Sequence, residues 1–359
     1  MTLNVCIIIG TRPEIMKLFP VITELKKKKI KYFVIHTGQH YSYELDEVFF
    51  NNLQLKKPEF NIKVGSKSPG NQTGLMISRI EKILQKKNPS VVLVPGDTNT
   101  TLAGAIAARK LEIPVGHIEA GLRSFDETMP EEWNRIMVDH CCDFLFAPTK
   151  TSQGFLCNEN ISKKKIFVVG NTIVDAVLKN IKNAKKSKIL EKLEIKPNKY
   201  FLVSIHRKEN VTDPKRFKNL IESLKLLKKE FGVPIIFPIH PRTKKAAKDY
   251  QISLEGINLI DPADYFDFLQ LEINAQLVLT DSGGVQEETC ILKVPCVTLR
   301  DNTERPESVK VGASIIAGTN PKNILKCSKK MIKKKRNWEN PFGDGRTGER
   351  IVSILLKKF

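Results

Sequence analysis

Two carboxylates stand where apolar runs end. Val91–Pro95 opens into Gly96-Asp97-Thr98-Asn99-Thr100, and Val115–Glu119 is followed by Ala120-Gly121-Leu122-Arg123. Short β-branched runs bounded by glycine read as strands. In an open α/β sheet the strand C-termini line the ligand crevice. Asp97 and Glu119 are therefore expected to share one site, where mutual repulsion and desolvation drive paired carboxylates to different proton affinities. Glu131 and Glu132, in Pro130-Glu131-Glu132-Trp133-Asn134-Arg135, begin a helix beside that site. A first-turn carboxylate that merely complements the helix dipole is the other use of Glu131. His206, in Ser204-Ile205-His206-Arg207, follows the first strand of the second half, His40 follows Gly38-Gln39, and His240 precedes Pro241-Arg242. No histidines show metal-ligand spacing on one helix, so a zinc site is not expected.

Two further segments suit an anion. Gly10-Thr11-Arg12-Pro13-Glu14 joins the first strand to a helix. Pro13 fits the first helical turn, and Arg12 and Lys17 lie near a helix N-terminus that already favours negative charge. In the second half, Leu277–Thr280 delivers Asp281-Ser282-Gly283-Gly284 into Val285-Gln286-Glu287-Glu288. Glycines there let backbone N–H groups approach a pyrophosphate, Ser282 adds a hydroxyl, and Glu288 is an acceptor for ribose hydroxyls. Gly343-Asp344-Gly345-Arg346-Thr347-Gly348 matches the dinucleotide fingerprint by letter only. It follows Asn340-Pro341-Phe342 instead of a strand, so a loop leading to the last helix is expected.

Positioning these groups requires a scaffold that alternates strand and helix. Asn4–Ile9, Tyr32–His36, Val91–Pro95, Val115–Glu119, Phe144–Ala147 and Ile166–Val169 read as strands, with amphipathic stretches such as Glu14–Lys26 and Asn71–Lys87 between them. After a lysine-rich segment ending at Pro197-Asn198-Lys199 the alternation restarts: Tyr200–Ser204, Val233–Pro238, Ile257–Ile260, Leu277–Thr280, Pro295–Leu299 and Ser314–Ile316. Near-continuous apolar strands separated by helices imply parallel sheets covered on both faces. The expectation is an α/β protein of two Rossmann-like, doubly wound domains in the glycosyltransferase-B-like arrangement, with the active site in the interdomain cleft. Residues 1–172 form the first domain, with a C-terminal helix at 346–359 packing back on it. Residues 173–199 connect, and 200–345 form the second domain.

Bulk properties narrow the class. A chain of 359 residues suits two domains, and 41% hydrophobic with 27% charged residues suits a folded chain. Seven cysteines without a C-x-x-C pair indicate small core residues, not a disulfide framework. No run approaches the ~18 apolar residues of a membrane span, and no leader precedes the first strand, so a cytoplasmic protein is expected. The net charge of +20 gathers in runs such as Lys26 to Lys29 and Lys333 to Lys335, without interleaved aromatics. That pattern reads as a solvated surface, not a nucleic-acid interface.

Taken together, the ordered segments resemble the non-hydrolysing UDP-N-acetylglucosamine 2-epimerases. The segments are Gly10-Thr11-Arg12-Pro13-Glu14, Gly38-Gln39-His40, Gly96-Asp97-Thr98, His117-Ile118-Glu119-Ala120-Gly121-Leu122-Arg123, Pro130-Glu131-Glu132, Gly170-Asn171-Thr172, Asp281-Ser282-Gly283-Gly284 and Arg300-Asp301-Asn302-Thr303-Glu304-Arg305. The resemblance implies inversion at C2 of UDP-N-acetylglucosamine to UDP-N-acetylmannosamine, with no metal or redox cofactor, by a homodimer. By position it assigns Asp97, Glu119, Glu131 and His206 to catalysis. It assigns Arg12, Lys17, Ser282, Gly283, Gly284, Glu288 and Arg305 to the nucleotide and pyrophosphate, with Phe268 beside the base. Gln39, His40, Arg207 and His240 resemble the positions of a second, activating substrate molecule. Ala263, near the expected uracil, and the loop Ser124-Phe125-Asp126-Glu127-Thr128 depart from the family pattern.

The C2 hydrogen of an N-acetylhexosamine has no adjacent carbonyl and is poorly acidic. Transient oxidation, or departure of the anomeric pyrophosphate with the proton, avoids a bare carbanion. Without a properly placed dinucleotide fingerprint, elimination is expected: UDP leaves to give a 2-acetamidoglucal, then re-adds as a proton arrives on the other face. A hydrolysing epimerase, an epimerase of a modified UDP-N-acetylhexosamine and a glycosyltransferase of the same fold are the alternative readings.

Overall fold

The computed structural model describes residues 3–38, 50, 53 and 55–359. The chain divides into two compact units, Met1–Ala176 with Phe342–Phe359, and Val177–Pro341. The division falls inside the helix Thr172–Ala184.

The first unit holds strands β1 (Asn4–Ile9), β2 (Lys31–His36), β3 (Phe60–Asn61), β4 (Val91–Pro95), β5 (Val115–Ile118), β6 (Phe144–Ala147) and β7 (Ile166–Val168). All pair in parallel, in the order β3-β2-β1-β4-β5-β6-β7. The second unit holds β8 (Phe201–Ser204), β9 (Ile235–Pro238), β10 (Asn258–Ile260), β11 (Leu277–Thr280), β12 (Cys296–Thr298) and β13 (Ser314–Ile316). Its order, β10-β9-β8-β11-β12-β13, is likewise parallel throughout. Both units are thus doubly wound α/β sheets, as the alternation of apolar runs indicates.

In each sheet the order reverses once, between β1 and β4 and between β8 and β11. A crevice outside the strand C-termini opens at such a reversal, because the two following loops run to opposite faces. The segments Gly10-Thr11-Arg12 and Gly96-Asp97 follow β1 and β4; Ile205-His206 and Asp281-Ser282 follow β8 and β11. The segments that carry Arg12, Asp97, His206 and Ser282 therefore lie at the switch points, whereas Glu119 follows β5, His240 follows β9 and Arg305 follows β12.

The central strands are almost wholly buried, since helices cover both faces. Cys6, Ile8, Ile35, Val92, Val94, Val115 and Leu145 share a core with Met76, Ile80 and Leu84 of the helix Pro69–Lys87. Phe201, Val203, Phe237, Leu277 and Leu279 do the same against the helices Pro214–Phe231 and Pro321–Ile332. Phe342 returns the chain to the first unit by accepting from Asn171 N–H at 2.7 Å. The last helix, Thr347–Lys358, then packs on the helix Arg12–Lys27. Asp175 caps it, accepting from Thr347 N–H at 3.1 Å and Gly348 N–H at 3.0 Å. The glycine-rich Gly343–Gly348 stretch turns into the start of this helix and follows no strand. No helix among the described residues is long and apolar enough to cross a membrane.

Candidate functional site

At the first switch point, Glu14 joins the two strand-end turns. It is buried at the third position of its helix, where a T-x-x-E pattern turns a carboxylate back on the helix start. Its carboxylate accepts from the N–H of Gly10 at 2.7 Å and of Thr11 at 2.8 Å, and from the hydroxyl of Thr98, beyond β4, at 2.5 Å. Burial raises its pKa, and these donors work against the rise. Thr98 also caps the helix Asn99–Lys110 by accepting from Thr101 N–H.

Gly96 has φ +71°, and a Cβ on it would stand 2.7 Å from Lys17 Nζ and 3.7 Å from Glu119 Oε2. Lys17 and Glu119 pair at 2.5 Å with both side chains largely buried. Glu119 lies one residue beyond β5, not within the strand, and its φ of +70° puts a non-glycine residue in the left-handed region. Such a conformation costs about 1–3 kcal/mol and persists where surrounding structure enforces it, often at functional sites.

Asp97 is fixed from the helix Pro130–Cys141. Arg135 donates to Asp97 Oδ2 from Nε at 3.0 Å and Nη2 at 2.6 Å, and also pairs with Glu132. Glu132 takes the N–H groups of Ser124 and Phe125, tying down the loop before the helix. Asn134 donates to the Asp97 carbonyl at 2.9 Å. Glu131 occupies the first turn of this helix and is half-buried.

Beneath the turn after β4, His117 bridges Asp139 (Nδ1 to Oδ1, 2.6 Å) and the Gly96 carbonyl (Nε2, 2.8 Å). Asp139 also meets Arg123 at 2.8 Å and accepts from Gly121 N–H at 3.1 Å. Burial alone would raise the Asp139 pKa, but His117 and Arg123 hold it below the ordinary carboxylate value.

At the second switch point Asp281, fully buried, gathers the turn after β8. It accepts from His206 N–H at 3.1 Å, Arg207 N–H at 3.0 Å and the Asn210 side-chain amide at 3.1 Å. His206 Nδ1 lies 3.4 Å from Asp281 Oδ1, with its side chain 40% exposed. Partial loss of hydration lowers the His206 pKa; Arg207 and Arg242 lower it further, while Asp281 and Glu209 oppose. The His240 ring centroid is 6.2 Å away, and His240 Nδ1 accepts from Arg242 N–H at the start of the helix Pro241–Asp249.

Ser282 caps the helix Gly283–Ile291. A Cβ on Gly283 would meet Glu304 Oε1 at 2.7 Å and Arg305 Cζ at 3.1 Å. Glu304 receives Arg207 at 3.3 Å, Arg300 at 2.6 Å and Arg305 at 2.8 Å, while Arg305 also pairs with Glu287 at 3.0 Å. Arg305, assigned to the pyrophosphate by resemblance, is buried inside this network. Glu288 is buried on the same helix with a pKa pushed up to about 8, first by burial and then by the charge of Glu287. Phe268 packs partly buried on the apolar cluster of Ile189, Tyr200 and Leu271. Ala263 lines an open concavity of about 460 Å³ with Ile239, Lys244, Asp264 and Asp267.

The first unit thus brings Lys17, Asp97 and Glu119 to one switch point, with Arg12 on the adjoining turn and Glu131 at the start of the nearby helix. The second holds His206, Arg207, Ser282 and Gly283 around Asp281 and Glu304. Gln39 and His40 lie outside the described residues. Sequence reasoning gave no role to Glu14, Arg135, Asp139, Asp281 or Glu304. The T-x-x-E spacing marks Glu14; the others meet partners far along the chain, for which no local pattern exists.

Fold and site together define a doubly wound α/β enzyme, one switch point carrying paired acidic groups and a lysine, the other a glycine-led helix start beside a histidine. A family model described as UDP-N-acetylglucosamine 2-epimerase matches residues 23–356. A UDP-N-acetylglucosamine 2-epimerase of Methanocaldococcus jannaschii is 52% identical over 361 residues, 98% of this chain and 99% of the relative. One of Methanococcus maripaludis is 54% identical over 359 residues, 98% of this chain and 97% of the relative. The crystal structure of the Methanocaldococcus jannaschii enzyme in complex with UDP-GlcNAc and UDP has a TM-score of 0.94, covering 99% of this chain and 100% of that one. The chain belongs to the UDP-N-acetylglucosamine 2-epimerase family.

Proposed function

We propose that this chain interconverts UDP-N-acetylglucosamine and UDP-N-acetylmannosamine without net hydrolysis. The observation that carries the reading is the first switch point, where Asp97 and Glu119 end neighbouring strands beside Lys17 in a chain of this family. Inversion at C2 requires one group to take a proton and another to return it to the opposite face. Each positioned transfer contributes about 10²–10⁴-fold. Asp97, Glu119, Glu131 and His206 supply these groups. His206, with its lowered pKa, is neutral over more of the physiological range and so available as a base.

The UDP binds at the second unit, its pyrophosphate against Ser282, Gly283 and Gly284 at a helix start. Glu288 accepts from the ribose and Phe268 flanks the base. Arg12, Lys17 and Arg305 are the cations that favour charge developing on the leaving diphosphate. Elimination yields 2-acetamidoglucal and UDP, and re-addition with protonation from the opposite face completes the inversion. Arg207 and His240, with Gln39 and His40, receive a second, activating substrate molecule. The enzyme works as a cytoplasmic homodimer supplying activated sugar for polysaccharide synthesis; these attributes follow from the family resemblance.

Incubation with UDP-N-acetylglucosamine in D₂O tests the reading by NMR. Deuterium is expected at C2 of both recovered sugar nucleotides, with no accumulation of free N-acetylmannosamine. Turnover with the original C2 hydrogen fully retained refutes elimination, and release of free sugar makes the chain a hydrolase.

A further inference from the structure

We propose that His117, buried beneath the first switch point, carries a proton on each ring nitrogen and holds the peptide from which Asp97 departs by donating to the Gly96 carbonyl. His117 is thus a positioning residue acting through Asp97. The positioning role rests on the reading that Asp97 works in catalysis; the proton count does not.

The two contacts of the ring fix that count. Nε2 lies 2.8 Å from the Gly96 carbonyl oxygen and Nδ1 lies 2.6 Å from Asp139 Oδ1, with the whole residue 1% exposed. A backbone carbonyl only accepts, so Nε2 bears a hydrogen. An ionised carboxylate also only accepts, so Nδ1 bears the other. Either neutral tautomer would set a nitrogen lone pair against an oxygen lone pair across one of these contacts. A proton on Asp139 is no escape, because its other oxygen faces Arg123, a permanent cation, at 2.8 Å and accepts from Gly121 N–H at 3.1 Å. The depressed Asp139 pKa agrees with an ionised acid. So does the charge balance: Arg123 also pairs with Glu159 at 2.6 Å, and two cations, Arg123 and His117, then meet two acids.

The bond to Gly96 matters because of where that residue stands. Gly96 has φ +71°, and its N–H donates to the Ile118 carbonyl at 2.9 Å. Two consecutive residues of β5 therefore hold both of its polar groups, Ile118 the N–H and His117 the carbonyl. That carbonyl belongs to the peptide joining Gly96 to Asp97, so its direction fixes where the Asp97 Cα begins. From the other side, Asn134 holds the Asp97 carbonyl at 2.9 Å and Arg135 holds its carboxylate at 3.0 Å. Without His117 the helix Pro130–Cys141 would still grip Asp97, but the strand side of the turn would be loose. A misplacement of about 1 Å in a reacting group costs about 100-fold in rate.

Two substitutions separate the contacts of the ring. An asparagine amide nitrogen falls near the place of Nδ1, and a glutamine amide nitrogen near that of Nε2. His117→Asn therefore keeps a donor for Asp139 and deprives Gly96, while His117→Gln does the reverse. Asp139 is charged and the carbonyl is not, so His117→Gln should be the less stable of the two in urea. Turnover of UDP-N-acetylglucosamine should run in the opposite order. His117→Asn should lose about 100-fold in kcat with KM held within about 3-fold, and His117→Gln no more than about 10-fold. A merely structural histidine makes turnover follow stability, so the same order in both assays overturns the positioning role. Nitrogen NMR of the native protein, labelled at its histidines, needs neither variant to fold. At neutral pH one ring should show both nitrogens protonated, with both hydrogens slow to exchange because the site is buried. Absence of such a ring among the six histidines overturns the proposal. If that ring is present and the native protein does not turn over the sugar nucleotide, the functional reading fails while the doubly protonated histidine stands.

Discussion

Replacing Asp281 measures how firmly the second site is built. Its carboxylate serves three donors: the N–H groups of His206 and Arg207 and the Asn210 amide, at 3.0 to 3.1 Å. A buried donor left without a partner costs about 1–3 kcal/mol, so Asp281→Ala strands about 3–9 kcal/mol. A whole domain is stable by only about 5–15 kcal/mol, so the alanine variant should leave the second unit largely unfolded. Asp281→Asn is the graded perturbation. Its amide oxygen, in the place of Oδ2, still accepts from Arg207 and Asn210, while the amide nitrogen turns toward His206 Nδ1, now 3.4 Å from Oδ1. Hydrogen bonds to a charged acceptor are about twice as strong as neutral ones. Three bonds reduced by half amount to a loss of about 2–4 kcal/mol.

Urea denaturation reads that loss directly, and a second observable checks the electrostatics. Lost hydration lowers the His206 pKa, and the negative charge of Asp281 holds part of that fall back. Removing the charge should move the ring's titration to still lower pH, seen in its proton NMR shifts. The pH profile of turnover should move with it if the neutral ring is the working form. A denaturation midpoint unchanged from the native protein, or a ring that titrates higher, refutes the account of Asp281 as the organiser of this turn.

Gly96→Ala forces a side chain into the left-handed region, at about 1–2 kcal/mol, and drives Lys17 away from Glu119, since the new Cβ would lie 2.7 Å from Nζ. Turnover should fall by up to about 100-fold, and native activity in this variant would show the Lys17–Glu119 pair to be irrelevant. Asp139→Asn should destabilise the first unit by about 1–3 kcal/mol, because His117 and the Gly121 N–H lose a buried charged acceptor while Arg123 keeps only its pair with Glu159 at 2.6 Å. The pH dependence has a definite sign. The folded pKa of Asp139 is depressed, so its stabilisation is present above the ordinary carboxylate value and lost as pH falls through the folded one. Thermal melts of the native protein should therefore drop in acid more steeply than those of the variant; parallel curves would refute the assignment.

Much of this site is legible from residue type and local spacing. A glycine or carboxylate directly after a β-branched run marks a strand end, and strand ends are where an α/β sheet exposes groups to ligand. Arg12, Lys17, Asp97, Glu119, His206 and Ser282 are found this way. Glu119 shows the limit of the method. It reads as the last residue of a strand, whereas the chain turns left-handed there at φ +70° to meet Lys17. The network around Glu304 is harder still, because three arginines converge on one acid from two separate turns.

The sequence by itself determined the alternation of strand and helix, the parallel sheets and the chemical types at the strand ends, because these depend on hydrophobic period and on turn residues a few positions apart. Only the tertiary structure decided which ends meet. The order in each sheet sets β1 beside β4 and β8 beside β11. It thereby brings Glu14 to Thr98, 84 residues on, and His206 to Asp281, 75 residues on. A buried polar group must find its partner wherever the packed chain provides one, and such a partner leaves no periodic trace in the residues on either side of it.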